Sequence, residues 1–389
     1  MGDAHKIDAA PAARILAVAR ERLAAGGFRQ LTLRPLAEAS GSTIAALTYH
    51  FGTKNQLIER LVEAERASDE LAHAAFASRF AGLKRLEPSA VAAILEVYLD
   101  QAARDRRIDS LVWCELLLVA GTDQEARSLL APWIAARRAF WREFFAGRIA
   151  EADTWAEAAF GYVTDETAHS LAQGGAPDYQ LLRRMGLERL AGRGRSLGLS
   201  HADFFETVVR RMDPALQLPS ATSHDPFGEK ARAIALAASE VIVADGVQAV
   251  THRAVGELAQ VPASSVAYHF RTQLDLVRAG LTVVYRVAQG RLAPRQAQSE
   301  IFVARGTVSV ALAAARDPTL TPYAVDLRRL RGENLRLRIS ERLGVDLDLA
   351  AAQAASIARL GSTLLIQATG EPPVDSDGLV EWLVGADAN

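Results

Sequence analysis

Residues 32–51 read Thr-Leu-Arg-Pro-Leu-Ala-Glu-Ala-Ser-Gly-Ser-Thr-Ile-Ala-Ala-Leu-Thr-Tyr-His-Phe, and residues 251–270 read Thr-His-Arg-Ala-Val-Gly-Glu-Leu-Ala-Gln-Val-Pro-Ala-Ser-Ser-Val-Ala-Tyr-His-Phe. The two stretches align without a gap at a constant offset of 219 residues. The register extends outward on both sides, so that Ile15 meets Ile234, Gly27 meets Gly246, Glu38 meets Glu257, Thr53 meets Thr272 and Leu57 meets Leu276. An internal repeat of this kind sets the architecture before any local reading does.

Each copy reads as three short helices. The first runs from about residue 12 to 25, with Ile15, Leu16, Ala19 and Leu23 on one face, and stops at Gly26-Gly27. Its counterpart runs from about 230 to 244, carries Ile234, Ala238 and Val241 on the same face, and stops at Asp245-Gly246. Thr32 and Thr251 are expected to cap the second helices, with Leu36 and Ala39 facing inward in one copy and Val255 and Leu258 in the other. A break at Ser40-Gly41-Ser42 precedes a third helix that opens near Thr43. Helix, short turn with glycine, helix is the sequence form of a helix-turn-helix.

The Thr-x-Arg opening, the Leu36-Ala37-Glu38 triplet, the turn glycine Gly41, the Tyr49-His50-Phe51 close and the Thr53-Lys54 step before Leu57 resemble the TetR family of transcription regulators. The resemblance covers about residues 12–60 and extends to about 230–279. It implies an all-α chain of two TetR-like units in tandem, each a three-helix DNA-binding head followed by a helical ligand-binding and dimerisation domain. By motif register, Thr43, Ile44, Ala45 and Thr48 would face bases, with Ile44 and Ala45 suited to thymine methyls. Thr32, Arg34, Tyr49, His50 and Lys54 would hold phosphates. In the second copy Ala263, Ser264 and Ser265 would face bases, and Thr251, Arg253, Tyr268, His269 and Thr272 the backbone.

The two heads differ in charge. Residues 12–60 hold seven Lys/Arg against three Asp/Glu, whereas residues 229–279 hold five of each. Gln260 stands at the turn-glycine position, Pro262 opens the recognition helix, and Gln273 replaces the lysine. Proline is tolerated at a first helical turn, so the fold of the second head is expected to survive while its hold on phosphate weakens.

Composition agrees with this picture. A chain of 389 residues exceeds one ordinary domain, half of it is hydrophobic, and aromatics make up only 6%. The net charge of −2 excludes a coat-like polycation and leaves local asymmetry to serve DNA. A single cysteine, Cys114, can build neither an internal disulfide nor a thiolate metal site. The start of the chain lacks a signal-peptide profile and no stretch reaches about 18 uninterrupted apolar residues, so the expected address is the cytoplasm, with no membrane partner. There is no phosphate-binding glycine loop, nucleophile elbow or His/Glu metal pattern, so neither an enzyme nor a cofactor or metal is expected; His73 and His169 stand isolated.

Beyond the heads, helices are expected at about 89–104, 108–118, 125–146, 154–173 and 349–369. The stretch from Met212-Asp213-Pro214 to Asp225-Pro226 is rich in Pro, Ser and Thr and reads as a linker. The resulting boundaries are 1–58 for the first head, 59–212 for its regulatory domain, 213–228 for the linker, 229–278 for the second head and 279–389 for the second regulatory domain. The Ala-rich helices at 154–173 and 349–369 could close the family's subunit-contact bundle within one polypeptide, since a short linker holds the local concentration near millimolar. A monomeric pseudo-dimer follows. As the resemblance implies, the partners are an operator in double-stranded DNA, asymmetric or pseudo-palindromic, and a small-molecule effector that releases a repressor; pocket candidates are Tyr98, Trp113, Trp141, Phe144 and Phe145. The alternative is a helical ligand-binding or interaction protein in which one or both heads no longer bind DNA.

Overall fold

The computed structural model describes residues 9–192, 199–213, 227–288, 299–333, 336, 347–371 and 376–384. Among the described residues there is no strand. The first part of the chain forms α1 (Ala9–Gly26), α2 (Leu33–Ala39), α3 (Ile44–Phe51), α4 (Lys54–Arg79), α5 (Pro88–Ala103), α6 (Arg107–Ala120), α7 (Gln124–Phe145), α8 (Ala152–Gln173), α9 (Pro177–Gly192) and α10 (Leu199–Arg211). The second part forms α11 (Glu229–Asp245), α12 (His252–Ala259), α13 (Ala263–His269), α14 (Gln273–Ala288), α15 (Ser299–Arg316), α16 (Thr321–Arg329), α17 (Leu349–Thr369) and α18 (Ser376–Val384). Of the expected linker 213–228, residues 214–226 lie outside the described residues.

The five helices read from periodicity beyond the heads have ends within two residues of their expected positions, because local chemistry punctuates them. Pro88 opens α5 with its fixed φ. Asp123 and Asp348 cap α7 and α17 by accepting from the main-chain N–H of Ala126 and Ala351, each at 2.8 Å. Gly370, at φ +70°, closes α17 in the left-handed region.

The two parts of the chain are joined by the crossing of α8 and α17. Gly161 and Gly361 meet there with the main chains so close that a Cβ on either would collide with the other helix. Small residues let the helices approach, and Ala156, Ala158, Ala159, Ala354, Ala355 and Ala358 are all buried around the crossing. By length and mean hydropathy α17 could cross a membrane, but most of its most apolar window is buried inside the protein. Its apolarity belongs to this helix bundle.

The bundle also encloses charge. Arg328 of α16 donates through Nε to both Glu166 oxygens of α8, at 2.9 and 3.0 Å, and through Nη1 to Gln353 Oε1 at 2.8 Å. Arg331 reaches Asp165 at 2.8 Å, His169 Nε2 at 3.0 Å and Thr307 Oγ1 at 3.0 Å. Because Arg331 donates to Nε2, that nitrogen carries no proton and His169 is neutral. Burial, then Arg331 and Arg328, hold His169 well below the usual histidine range. His73 is lowered to about 3, by burial first, with Asp69 opposing and Arg137 and Arg106 assisting. Asp165 is raised to about 6 by burial, against Arg331.

These shifts set an acid limit on stability. In the unfolded chain both histidines bind a proton below about pH 6.5, which the folded chain refuses, so stability falls as pH drops through that value. Asp165 acts in the opposite sense: the folded chain keeps its proton, and this contribution is lost as pH rises from about 4 to about 6. His169→Gln retains an acceptor for Arg331 and removes one titrating group. Urea midpoints at pH 7 and 5 are expected to show a smaller acid loss in the variant, by about 1.4 kcal/mol per pH unit below 6.5; an unchanged loss would assign the acid sensitivity elsewhere.

Candidate nucleic-acid interface

The first head is held from within by Ile15, Ala19 and Leu23 of α1, Leu36 and Ala37 of α2, and Leu47 and Phe51 of α3, all buried. Ala39, expected inside, is exposed, because a seven-residue helix that turns Leu36 and Ala37 inward carries its last residue past the core. The chain then turns at Gly41, at φ +61°, where Ser42 N–H donates to Ala37 O at 2.8 Å and Ser40 Oγ to Ala37 O at 3.2 Å. Thr32 has the extended backbone of a cap, but its side chain makes no capping bond. Thr43 does cap, accepting from Ala46 N–H at 3.1 Å. Thr53 opens α4 in a reciprocal capping box with Gln56.

This anchoring fixes what α3 shows to solvent. With Leu47 and Phe51 inward, Thr43, Ile44, Ala45, Thr48 and Tyr49 stand exposed on the other side, Tyr49 at 68%. Thr32 and Arg34 are exposed beside them, Arg34 bonded to Glu38 at 3.3 Å. His50 is half-buried, with Nδ1 enclosed and unbonded. The Lys54 ammonium lies 5.6 Å from the centre of the Phe28 ring. A row of small, hydroxyl and methyl-bearing side chains on a short helix, flanked by cations, fits the major groove and its phosphates.

The second head repeats the frame with other chemistry. Ile234, Ala238 and Val241 of α11, Val255 of α12, Val266 of α13 and Phe270 are buried. Leu258, expected inside, is 42% exposed, since Val255 and Gly256 take the inward face of α12. Thr251 caps α12 through Ala254 N–H at 3.1 Å, and Thr272 caps α14 through Asp275 N–H at 3.0 Å. Gln260 adopts φ +58°, the same left-handed turn as Gly41, and a Cβ on Gly256 would press on Val261 O. Ala263, Ser264, Tyr268 and His269 are exposed and Ser265 is half-buried; Tyr268 is 82% exposed. Arg253 is exposed and paired with Glu257 at 2.9 Å. His252, not singled out from sequence, bonds Phe270 O at 2.8 Å and pins α12 to the end of α13. A left-handed glutamine costs about 1–2 kcal/mol relative to glycine, so Gln260→Gly is expected to raise the stability of the second head by up to that amount in urea unfolding, and Gly41→Gln to lower that of the first.

Residues 15–61, from α1 into α4, match the family of bacterial regulatory proteins, tetR family. The match supports a DNA-binding transcription regulator of the TetR family. No curated protein matches the sequence. The matched stretch contains the turn at Gly41, the cap at Thr43 and the exposed face of α3.

The aromatic pocket candidates sit in the regulatory part. Tyr98 and Trp113 line a small cavity of about 30 Å3 with His73 and Arg137. Trp141, Phe144 and Phe145 are buried in an aromatic cluster with Tyr98 and Phe76. Asp69 organises the polar side, accepting from Trp133 Nε1 at 2.7 Å and from Arg137 at 2.7 and 3.0 Å, while the Arg137 guanidinium lies 3.7 Å from the Trp113 ring centre. Cys114 is buried, and burial pushes its thiol up to about 12. Among the described residues no group of His, Cys, Asp or Glu is arranged to hold a metal.

Proposed function

We propose that the chain is two TetR-like units fused in tandem and acts as a transcription repressor, an intramolecular pseudo-dimer that reads an asymmetric or pseudo-palindromic operator and is released by a small molecule. The units divide at 1–58, 59–212, 213–228, 229–278 and 279–389. The reading is carried by the pairing of two similar trihelical heads, each with an outward tyrosine, on one chain whose α8 and α17 pack as the contact helices would in a dimer. In the first head Thr43, Ile44, Ala45 and Thr48 read bases while Thr32, Arg34, Tyr49, His50 and Lys54 hold phosphates. In the second, Ala263, Ser264 and Ser265 meet bases, and Thr251, Arg253, Tyr268, His269 and Thr272 the backbone. The second head, with no net charge, contributes less. The repressor works in the cytoplasm. The effector-pocket candidates remain Tyr98, Trp113, Trp141, Phe144 and Phe145, of which Tyr98 and Trp113 line a cavity of about 30 Å3.

A gel shift of the full chain on the DNA flanking its own gene tests this reading. Binding is expected to weaken with salt at a slope of about −0.9 per phosphate contacted, and Arg34→Ala to reduce that slope by about one. Absence of any shift, or a shift blind to DNA sequence, would favour a helical interaction protein whose heads no longer bind an operator.

A further inference from the structure

We propose that α15 is a crossbar that sets the distance between the two heads, with Arg305 and Arg316 as its positioning residues. A helix leaves its last four carbonyls without partners of its own, and the first helix of each head ends on α15. In α1, Gly27 N–H donates to Leu23 O at 2.8 Å and Arg316 Nε donates to Ala24 O at 2.7 Å. In α11, Gly246 N–H donates to Ile242 O at 3.0 Å and Arg305 Nε donates to Val243 O at 2.8 Å, with Nη2 on Ala244 O at 3.0 Å. Ala24 and Val243 occupy the same register position, 219 residues apart. One helix therefore holds the same main-chain atom of both repeats.

The geometry of α15 fixes the span. Residues 305 and 316 lie just over three helical turns apart, so their side chains leave one face of the helix, separated by about 16.5 Å along its axis. Both are enclosed, Arg305 at 3% exposure and the Arg316 side chain at 10%. A guanidinium offers its donors in a rigid fork, so each bond fixes direction as well as distance. The crossbar is itself tied to α6, where Arg305 Nη1 reaches Leu118 O at 2.6 Å and Arg316 pairs with Glu115, while Arg107 of α6 donates to Ala315 O at 2.6 Å.

Packing of head on head does not set the distance. A cavity of about 240 Å3 separates the ends of α1 and α11, with Gly27, Phe28, Gly246 and Val247 on the head side and Arg305 and Arg316 on the α15 side. Arg29 crosses it to Asp245 at 3.0 Å, but both side chains are about half exposed, and such a pair contributes little and is screened by salt. Arg20 fastens the first head to its own unit through Glu65 of α4 at 2.9 Å and Asp109 of α6, which leaves the distance to the second head to Arg316. Heads held at one spacing read half-sites at one separation; this consequence rests on the two-headed DNA reading, whereas the fixed spacing does not.

Spin labels placed by Ala39→Cys and Leu258→Cys, matching exposed positions of the two heads, in a chain carrying Cys114→Ala, read the spacing without DNA. A single narrow distance is expected, and Arg305→Met is expected to shift or broaden it by about 2 Å or more. Arg316→Met is combined with Glu115→Gln, so that no enclosed carboxylate is left unpaired, and is expected to act alike; Glu115→Gln alone keeps the bond to Ala24 O and should leave the distance unchanged. On DNA selected from a random pool by the full chain, one base pair inserted between the half-sites adds about 3.4 Å. It is expected to weaken binding by the parent chain at least about tenfold, and by the arginine variants less than about threefold. Should one arginine variant not fold, the other decides. An unchanged distance, or an equal penalty for the inserted base pair in parent and variants, would overturn the proposal. A distance that shifts in a chain binding no DNA would sink the regulator reading and leave the crossbar standing; DNA binding with a distance indifferent to Arg305 and Arg316 would do the reverse.

Discussion

Replacing Glu166 by alanine is expected to destabilise the protein by about 3–5 kcal/mol, the cost of leaving a buried guanidinium without its counter-ion. Glu166 and Arg328 are both fully enclosed, they come from opposite parts of the chain, and Glu166 also accepts from the Tyr179 hydroxyl at 2.7 Å. Burial acts to lower the Arg328 pKa, and Glu166 together with Tyr162 and Tyr179 more than offsets it. Urea unfolding reads the effect directly. Replacing both partners with leucine removes the orphaned charge and is expected to recover most of the loss, since a buried ion pair is seldom worth more than an apolar pair of similar volume. A cost below about 1 kcal/mol for the single variant would mean that the site is open to water. What the pair supplies is then register: Arg328 with Glu166, and Arg331 with Asp165 and His169, fit only one alignment of α16 on α8.

The second large effect concerns DNA. Ile44 is 47% exposed on α3, so Ile44→Glu should leave stability within about 0.5 kcal/mol. In the groove it sets a carboxylate among base edges and phosphates and removes a methyl contact, so operator affinity is expected to fall about 100-fold or more, from about 1–3 kcal/mol per lost base contact plus like-charge repulsion. Ser264→Glu, in the second head, is expected to cost less than about tenfold, because that head offers phosphates no net positive charge. Gel shifts with unfolding curves on the same preparations separate binding from folding. Equal losses from the two variants would contradict the inequality of the heads.

The heads were legible because their rules are local. Gly41, Thr43, Thr53 and the paired Tyr-His-Phe stretches act within a few residues of themselves, and an offset repeat amplifies the signal. The inward faces of α2 and α12 were read less well: seven or eight residues barely complete two turns, so periodicity alone could not set their phase, and Ala39 and Leu258 fell on the wrong side. Gln260 shows the converse, a departure from the expected glycine that keeps the backbone conformation and carries the strain. Small residues in α8 and α17 announced close packing, but nothing in either helix named Gly161 and Gly361 as the crossing point. Arg305 and Arg316 were invisible, since their partners lie 61 to 292 residues away and single arginines on an apolar helix carry no pattern. Only the folded chain brings them to the ends of α1 and α11.

The proposed function requires one chain to present two unlike reading heads to one stretch of DNA. Selection of binding sites from a random DNA pool by the full chain, with the mass of the resulting complex measured, tests this most directly. The predicted result is a single chain on two dissimilar half-sites about one helical turn, roughly 34 Å, apart. A perfect palindrome occupied by two chains, or a lone half-site, would contradict it.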